Sequence, residues 1–180
     1  MNGSHETATL AGGCFWCIEA VFGEVAGVES AVSGYTGGTV PGPTYEQVSS
    51  GQTGHAEAVQ VTFDTGRISY RQILEIFFSV HDPTTPGRQG SDVGTQYRSA
   101  VFYHDQGQKD IAEGLIQELG NSHVWKDPVV TQVAPAEKFY RAEDYHQEYF
   151  ARHPYQGYCQ MVIAPKMDKF RKKWASQVKK

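Results

Sequence analysis

The most regular pattern along the chain is the alternation of apolar and polar or small side chains over residues 55–63. Val59, Val61 and Phe63 alternate there with Ala58, Gln60 and Thr62. This period of two predicts a strand with one buried face. Shorter apolar runs bounded by turn-forming residues predict further strands at 7–10, 28–35, 99–103 and 129–134.

Helical periodicity is clearest after Ser69, a residue type that favours helix N-caps. Ile73, Leu74, Phe77 and Phe78 follow it at spacings that place them on one helical face. Weaker patterns predict helices at 18–22, 45–50, 106–119 (ended by Gly120), 142–152 and from Pro165 onwards.

Two segments rich in Gly and Pro, 81–97 and 153–165, are predicted to be long loops. Long loops in compact domains are often functional, so both are candidates to carry functional residues. Strands and helices are interleaved without a strict repeat, which favours an α+β fold. We therefore predict a two-layer α/β sandwich built on a ferredoxin-like mixed sheet, with long loops and a C-terminal helix.

A chain of 180 residues is long enough for one catalytic domain over 1–180, and we expect frayed ends at 1–6 and 176–180. The net charge of −4 gives no reason to expect nucleic acid as a partner. Seven Lys and Arg residues at 166–180 are typical of a solvated terminal helix. No apolar run could span a bilayer and no secretory signal pattern begins the chain, which favours a cytoplasmic protein, by default a monomer.

The sequence Ala-Gly-Gly-Cys-Phe-Trp-Cys at 11–17 joins a predicted strand to a predicted helix. The two glycines permit a tight turn, which would place Cys14 in the first helical turn. Unpaired N–H groups and the helix dipole favour a thiolate there, and the thiolate is the reactive form. Phe15 and Trp16 would give this sulfur an aromatic wall.

Cys14 and Cys17 have the spacing of a redox pair, of half a zinc site, or of two semi-buried small residues. Zinc needs four ligands, and the remaining cysteine, Cys159, is distant in sequence. An odd number of cysteines does not make a static disulfide framework, which fits working thiols in a reducing compartment.

Four further polar residues are candidates. Glu57 begins a largely apolar strand and is either a solvated rim residue or a buried carboxyl that holds and delivers a proton. Tyr45 and Tyr97 lie in or beside loops and either pack there or donate hydrogen bonds to a substrate oxygen. Asp92, in a Gly-rich segment, is by default a turn former.

Several motifs resemble those of the peptide methionine sulfoxide reductase A family, in order from about residue 7 to about residue 165. The most specific are Gly-Cys-Phe-Trp at 13–16 and Gly-His-Ala-Glu at 54–57. The others are Gly-Tyr-Thr-Gly-Gly at 34–38, Pro-Thr-Tyr at 43–45, His-Asp-Pro-Thr at 81–84, Asp-Val-Gly-Thr-Gln-Tyr-Arg-Ser at 92–99 and Tyr-His-Gln at 145–147.

The resemblance implies a function for each candidate. Cys14 would be the nucleophile, Glu57 the acid next to the sulfoxide oxygen, and Phe15 and Trp16 the apolar wall that holds the substrate methyl group. Tyr45 and Tyr97 would bond the same oxygen, and Asp92 would support that network. The family reduces the S epimer of methionine sulfoxide, free or in peptides, takes its electrons from thioredoxin, and needs no metal or organic cofactor.

The resemblance also bears on how oxidised Cys14 is reduced. A sulfenic acid on Cys14 would condense with a second thiol. Cys159 matches the position at which many members carry a resolving cysteine, which slightly favours it over Cys17, provided that a mobile segment carries it to Cys14. Cys17 stands where some members have no thiol, and either cysteine could pass the disulfide to thioredoxin. The alternatives are a general dithiol–disulfide oxidoreductase and a zinc-stabilised binding module.

Overall fold

The computed structural model describes residues 4–179, and within these the main sheet has six strands. A separate two-stranded hairpin lies in the segment before Thr95. The strands are β1 (His5–Gly12), β2 (Val28–Thr36), β3 (Ala56–Asp64), β4 (Arg88–Gln89), β5 (Asp92–Val93), β6 (Ser99–Tyr103), β7 (Gln132–Pro135) and β8 (Tyr140–Arg141).

The α-helices follow the apolar spacing and are bounded by recognisable caps. Ser69 caps its helix through a reciprocal pair of hydrogen bonds with Gln72, and Thr44 does the same with Gln47. The helices are α1 (Phe15–Gly23), α2 (Tyr45–Ser49), α3 (Tyr70–Ser79), α4 (Gln106–Ser122), α5 (Tyr149–Arg152) and α6 (Ala164–Lys173).

The main sheet has the order β7-β6-β1-β3-β2-β8. Along its four central strands, β6-β1-β3-β2, each adjacent pair is antiparallel, whereas β7 lies parallel to β6 at one edge. With α1 between β1 and β2 and α3 between β3 and β6, this is the ferredoxin-like arrangement. The predicted α+β sandwich with a mixed sheet is therefore confirmed.

The alternation in β3 explains the two faces of the sheet. Val59, Val61 and Phe63 are fully buried in the main core together with the apolar sides of α1 and α3. Ala58 belongs to a second, smaller apolar cluster, which it forms with Ala56 and with side chains of β1 and β6. Glu57 has the same parity as Val59, so its side chain is on the helix-covered face.

Two predicted helix boundaries were wrong. α4 continues through Gly120 to Ser122 and ends at His123, which takes the left-handed conformation with φ 55°. A Cβ atom built at Gly120 would have no neighbour within 4 Å among the described residues, so packing does not require the helix to end there. The low helix propensity of glycine is only a modest cost. The helix predicted at 142–152 is interrupted because Glu148 is left-handed, with φ 53°. A 3-10 turn at Asp144–His146 precedes it and α5 follows.

The two predicted loops contain regular structure. Segment 81–97 includes the β4–β5 hairpin and a 3-10 turn at Thr95–Tyr97. Segment 153–165 includes a π-helical turn at Cys159–Ile163 that continues directly into α6. The strand predicted at 129–134 is observed as β7, and β8 was not predicted.

The ends of the chain are paired where the structure describes them. His5 and Glu6 lie opposite Asp64 and Phe63 in the sheet, and Val178 forms an antiparallel bridge with Val25. Residues 5–6 and 177–179, which belong to the ends where fraying was predicted, have backbone partners in the structure. Residues 1–3 and 180 lie outside the described part of the chain. Of the helices between residues 4 and 179, none has the length and apolarity needed to cross a membrane.

Candidate active site

The turn before α1 is shaped by two glycines that touch neighbouring side chains. Gly13 has φ +95°, and a Cβ atom there would lie 2.6 Å from Gln89 Cγ. A Cβ atom on Gly12 would lie 3.0 Å from Phe77 and 3.1 Å from His81. A side chain at either position would have to displace this packing, so the turn fixes where Cys14 begins the helix.

Cys14 is the N-cap of α1, one residue before the first turn in which it was expected. Its backbone is extended, with φ −58° and ψ 124°, and its carbonyl accepts a 3.1 Å hydrogen bond from the N–H of Cys17. Cys14 is nearly buried, with 9% of the residue exposed, and it lies at the positive end of the helix dipole.

The thiols of Cys14 and Cys17 are hydrogen-bonded to each other. Burial, this hydrogen bond and the charge of Glu57 raise the pKa of Cys14. The hydrogen bond from Cys14 lowers the pKa of Cys17. The first negative charge of the pair is therefore favoured on Cys17 and not on Cys14, where a thiolate was expected, and the two sulfurs are already neighbours in the reduced protein. All three cysteines are free thiols.

Glu57 is a buried acid beside the start of α1. Its carboxyl is 1% exposed, and its Oε1 accepts a hydrogen bond of 3.1 Å from the N–H of Phe15. Its Oε2 is buried without a hydrogen-bond partner in the described part of the chain. Burial raises the pKa of Glu57 to about 8. The solvated rim alternative is excluded, and at neutral pH the group is mostly a protonated acid.

Tyr45 and Tyr97 are far apart in the sequence, but burial and the charge of Glu57 affect the phenols of both. Tyr45 begins α2, and its N–H donates to Glu143 Oε2 at 2.9 Å. Burial and the charge of Glu57 raise the pKa of Tyr45 to about 12, and the same two causes raise the pKa of Tyr97. Both phenols therefore stay protonated at neutral pH and can donate hydrogen bonds.

Phe15 and Trp16 form part of an aromatic cluster. Phe15 is 1% exposed, with its ring centroid 5.2 Å from that of His146. Trp16 is half-buried, and its indole N–H donates to His146 Nδ1 at 3.1 Å. Its ring is stacked on Tyr149 with centroids 3.8 Å apart and planes 6° apart. Trp16 is thus held rigidly while part of it stays accessible.

Asp92 and Cys159 lie on either side of Tyr158. The Tyr158 hydroxyl donates to Asp92 Oδ2 at 2.6 Å, and its ring meets the Trp16 ring edge-on at 5.8 Å. Cys159 is fully buried in the π-helical turn, and burial, followed by the charge of Cys17, raises its pKa. Cys159 therefore belongs to a continuous helical segment and not to the loop predicted for this part of the chain.

Sequence reasoning missed three aromatic residues of this cluster, namely His146, Tyr149 and Tyr158. All lie within 14 residues of aromatic-rich sequence after Asp144, interpreted as a plain helix and a loop. Aromatic side chains at such density outside the apolar strands were a signal for a ligand-facing wall. No metal-binding group of three or more His, Cys, Asp or Glu residues occurs within residues 4–179.

Comparison with known proteins is consistent with this geometry. Residues 6–178 match the family model of peptide methionine sulfoxide reductase. A peptide methionine sulfoxide reductase MsrA from Trichodesmium erythraeum is 56% identical over 173 residues, which cover 96% of this chain and 98% of the relative. Reduced Mxr1 from Saccharomyces cerevisiae has a TM-score of 0.78 at 32% identity, over 86% of this chain and 89% of Mxr1.

A second solved structure shows Mxr1 in complex with Trx2. It matches with a TM-score of 0.55 at 25% identity, over 81% of this chain and 84% of that chain. The family match spans the glycine turn, both neighbouring cysteines, the buried acid and the aromatic cluster. This chain belongs to the peptide methionine sulfoxide reductase family.

Proposed function

We propose that this chain reduces the S epimer of methionine sulfoxide, free or in peptides and proteins, to methionine. The observation that carries the proposal is a nearly buried thiol at a helix start, Cys14, beside a buried acid, Glu57, one of whose oxygens has no hydrogen-bond partner within residues 4–179. Membership of the family supports the substrate, and the Mxr1–Trx2 complex supports thioredoxin as the reductant.

The chemistry begins with the sulfoxide oxygen, which is a poor leaving group until it is protonated. Glu57 supplies that proton, and the protonated oxygen makes the substrate sulfur electrophilic. Cys14 gives its thiol proton to the Glu57 carboxylate and its sulfur attacks. The S–O bond of the substrate breaks, and the oxygen ends on Cys14 as a sulfenic acid. Methionine leaves, and Glu57 is again protonated.

Tyr45 and Tyr97 assist by donating hydrogen bonds to the same oxygen. Donors that are already oriented stabilise developing charge without having to reorganise during the reaction. Phe15 and Trp16 hold the substrate methyl group on the opposite side. Apolar contacts on one side of a chiral sulfur and donors on the other admit a single epimer.

Asp92 acts less directly than the resemblance implied. Its carboxylate accepts a hydrogen bond from the Tyr158 hydroxyl, and the Tyr158 ring lies edge-on to Trp16. We assign Asp92 to holding this part of the aromatic wall, since the described contacts give it Tyr158 as a partner.

Resolution of the sulfenic acid favours Cys17 as the first partner, in contrast to the position-based preference for Cys159. Cys17 is hydrogen-bonded to Cys14, whereas Cys159 is buried in the π-helical turn. Cys17 condenses with the Cys14 sulfenic acid and releases water. Cys159 then attacks Cys17, which frees Cys14 as a thiol, and a thioredoxin dithiol reduces the resulting disulfide.

The remaining expectations belong to the same proposal. Residues 1–180 act as one catalytic domain, as a monomer, without metal or organic cofactor. A cytoplasmic location fits a chain with three thiols that draws its electrons from thioredoxin, because thiols stay reduced there.

A single-turnover experiment tests the proposal. Fully reduced protein is mixed with an excess of a methionine sulfoxide peptide in the absence of any reductant. One or two equivalents of methionine should form per protein, depending on how far the thiol relay proceeds, together with an intramolecular disulfide. Cys14→Ser should give none. Absence of methionine, with efficient reduction of an insulin-like disulfide instead, would establish the general oxidoreductase alternative.

A further inference from the structure

Near the site lies a second buried carboxyl group, that of Glu19, which takes no part in the proposed chemistry. Glu19 is 5% exposed, although carboxyl groups are mostly solvated. Its side chain lies on α1, one turn after Trp16, on the side that faces β2 and the start of α5. A buried carboxyl persists only where its oxygens are bonded, so its partners indicate what it does.

Each carboxylate oxygen of Glu19 accepts a hydrogen bond from a different part of the fold. Ser33 Oγ, on β2, donates to Oε1 at 2.5 Å. The backbone N–H of Glu148 donates to Oε2 at 2.6 Å. Gln147 reinforces the link, since its side chain bonds both the N–H and the carbonyl of Ser33. Glu19 therefore ties the residue before α5 to both α1 and the sheet.

The backbone that Glu19 holds is strained. Glu148 has φ 53° and ψ 36°, a conformation that costs a non-glycine residue free energy. Such a conformation survives where surrounding contacts determine it. The bond to Glu19 is the contact made by the N–H of Glu148 itself.

The consequence falls on the next residue. Tyr149 follows Glu148 and stacks on Trp16 with ring planes 6° apart. Glu19 and Trp16 are three residues apart on the same helix, so they lie on one face of α1. That face therefore carries both the Trp16 ring and the carboxylate that holds the residue before Tyr149, on which Trp16 stacks. We propose that Glu19 is a positioning residue that fixes the Trp16–Tyr149 stack, and through it the apolar side of the substrate site.

This inference rests on the proposed function for its kinetic consequence, but its structural part stands without it. Loss of the bond should let Glu148 relax and Tyr149 turn away from the indole. Binding of the substrate methyl group would weaken, while the chemistry at Cys14 and Glu57 would be spared. The expected signature is a raised KM with little change in the single-turnover rate at saturation.

A set of variants provides the test. Glu19→Ala should raise KM for a sulfoxide peptide about fivefold and change the Trp16 fluorescence and near-ultraviolet signal. Glu19→Gln should restore both, because the amide oxygen still accepts from Glu148 N–H and its NH₂ can donate to Ser33. Glu24→Gln is the control, since it removes a carboxylate from the end of α1 that bonds Arg171 at the surface.

A double-mutant cycle decides between positioning and general stabilisation. In a Tyr149→Ala background, Glu19→Ala should have almost no further effect on KM. Independent, additive effects of the two changes would overturn the proposal, as would unchanged KM and fluorescence in Glu19→Ala. If Glu19→Ala does not fold, Ser33→Ala removes one anchor and should shift the same readouts in the same direction. If the wild-type chain reduces no sulfoxide, the proposed function fails. The fluorescence and near-ultraviolet measurements then still test whether Glu19 positions the Trp16–Tyr149 stack.

Discussion

The backbone N–H of Phe15 donates a hydrogen bond of 3.1 Å to Glu57 Oε1, which joins the start of α1 to the start of β3. The bond occupies one carboxyl oxygen, and Oε2 is buried without a hydrogen-bond partner among residues 4–179. Because Phe15 directly follows Cys14, the bond also places the acid beside the nucleophile. A proton donor and a thiol are thus set at fixed relative positions by the turn at Gly12 and Gly13.

Replacing Glu57 with Gln should abolish most of the sulfoxide reduction. The amide can accept the bond from Phe15 N–H but cannot deliver a proton, and general acids contribute about 10²–10⁴-fold to rate. The measurement is the single-turnover rate of methionine formation at saturating sulfoxide peptide. A Glu57→Gln variant within a factor of about two of the wild-type rate would show that Glu57 is not the acid.

The same carboxyl should make folding stability depend on pH. Its pKa is about 8 in the folded protein, against about 4.3 in an unfolded chain. The folded state therefore keeps a proton that the unfolded state has lost between these values. Its contribution is fully present below about pH 4.3 and is lost as the pH rises towards 8, by up to about 1.4 kcal/mol per pH unit.

Comparison with Glu57→Gln isolates this contribution because all other titrating groups are shared. The free energy of unfolding, measured by urea denaturation at pH 5 and pH 8, should move in favour of the variant as the pH rises. A difference that stays constant across this range would mean that the carboxyl is not held protonated.

The order of the thiol reactions should be visible in two variants after one turnover. Cys159→Ser should form the Cys14–Cys17 disulfide in full, because the two sulfurs are already hydrogen-bonded. Cys17→Ser should accumulate a Cys14 sulfenic acid that a dimedone-type reagent traps. Mass spectrometry of the quenched proteins distinguishes these products. Rapid formation of a Cys14–Cys159 disulfide in Cys17→Ser would restore Cys159 as first resolver.

Gly13→Ala should destabilise the protein and impair the nucleophile. The left-handed φ of +95° costs an alanine about 1–3 kcal/mol. Its Cβ would also press on Gln89 and move Cys14. Denaturant unfolding and single-turnover rates measure the two effects. Gly114→Ala, in the interior of α4 where a Cβ meets nothing, should be neutral or stabilising. Equal behaviour of the two variants would contradict the assigned function of the turn.

The sequence predicted the elements whose pattern is local. The alternation of Val59, Val61 and Phe63 located β3, and Ser69 located the start of α3, because period and capping are encoded in adjacent residues. The same alternation placed Glu57 in phase with the buried residues. The pattern therefore indicated that Glu57 is buried, although it did not exclude a solvated position at the rim of the sheet.

What the sequence did not predict depends on contacts between distant segments. The left-handed Glu148 is held by Glu19, and the turn that buries Cys159 packs on the main core, so neither has a local signal. The aromatic cluster around Trp16 draws on residues more than 100 positions away. The raised pKa values of Cys14 and Glu57 likewise come from burial, which only the folded chain supplies.

The most direct test of the central claim follows the two epimers of a racemic methionine sulfoxide peptide separately, with reduced protein, dithiothreitol and chiral chromatography. We expect that the S epimer alone is consumed and that a folded Cys14→Ser variant consumes neither. Consumption of both epimers, or continued activity of Cys14→Ser, would contradict it.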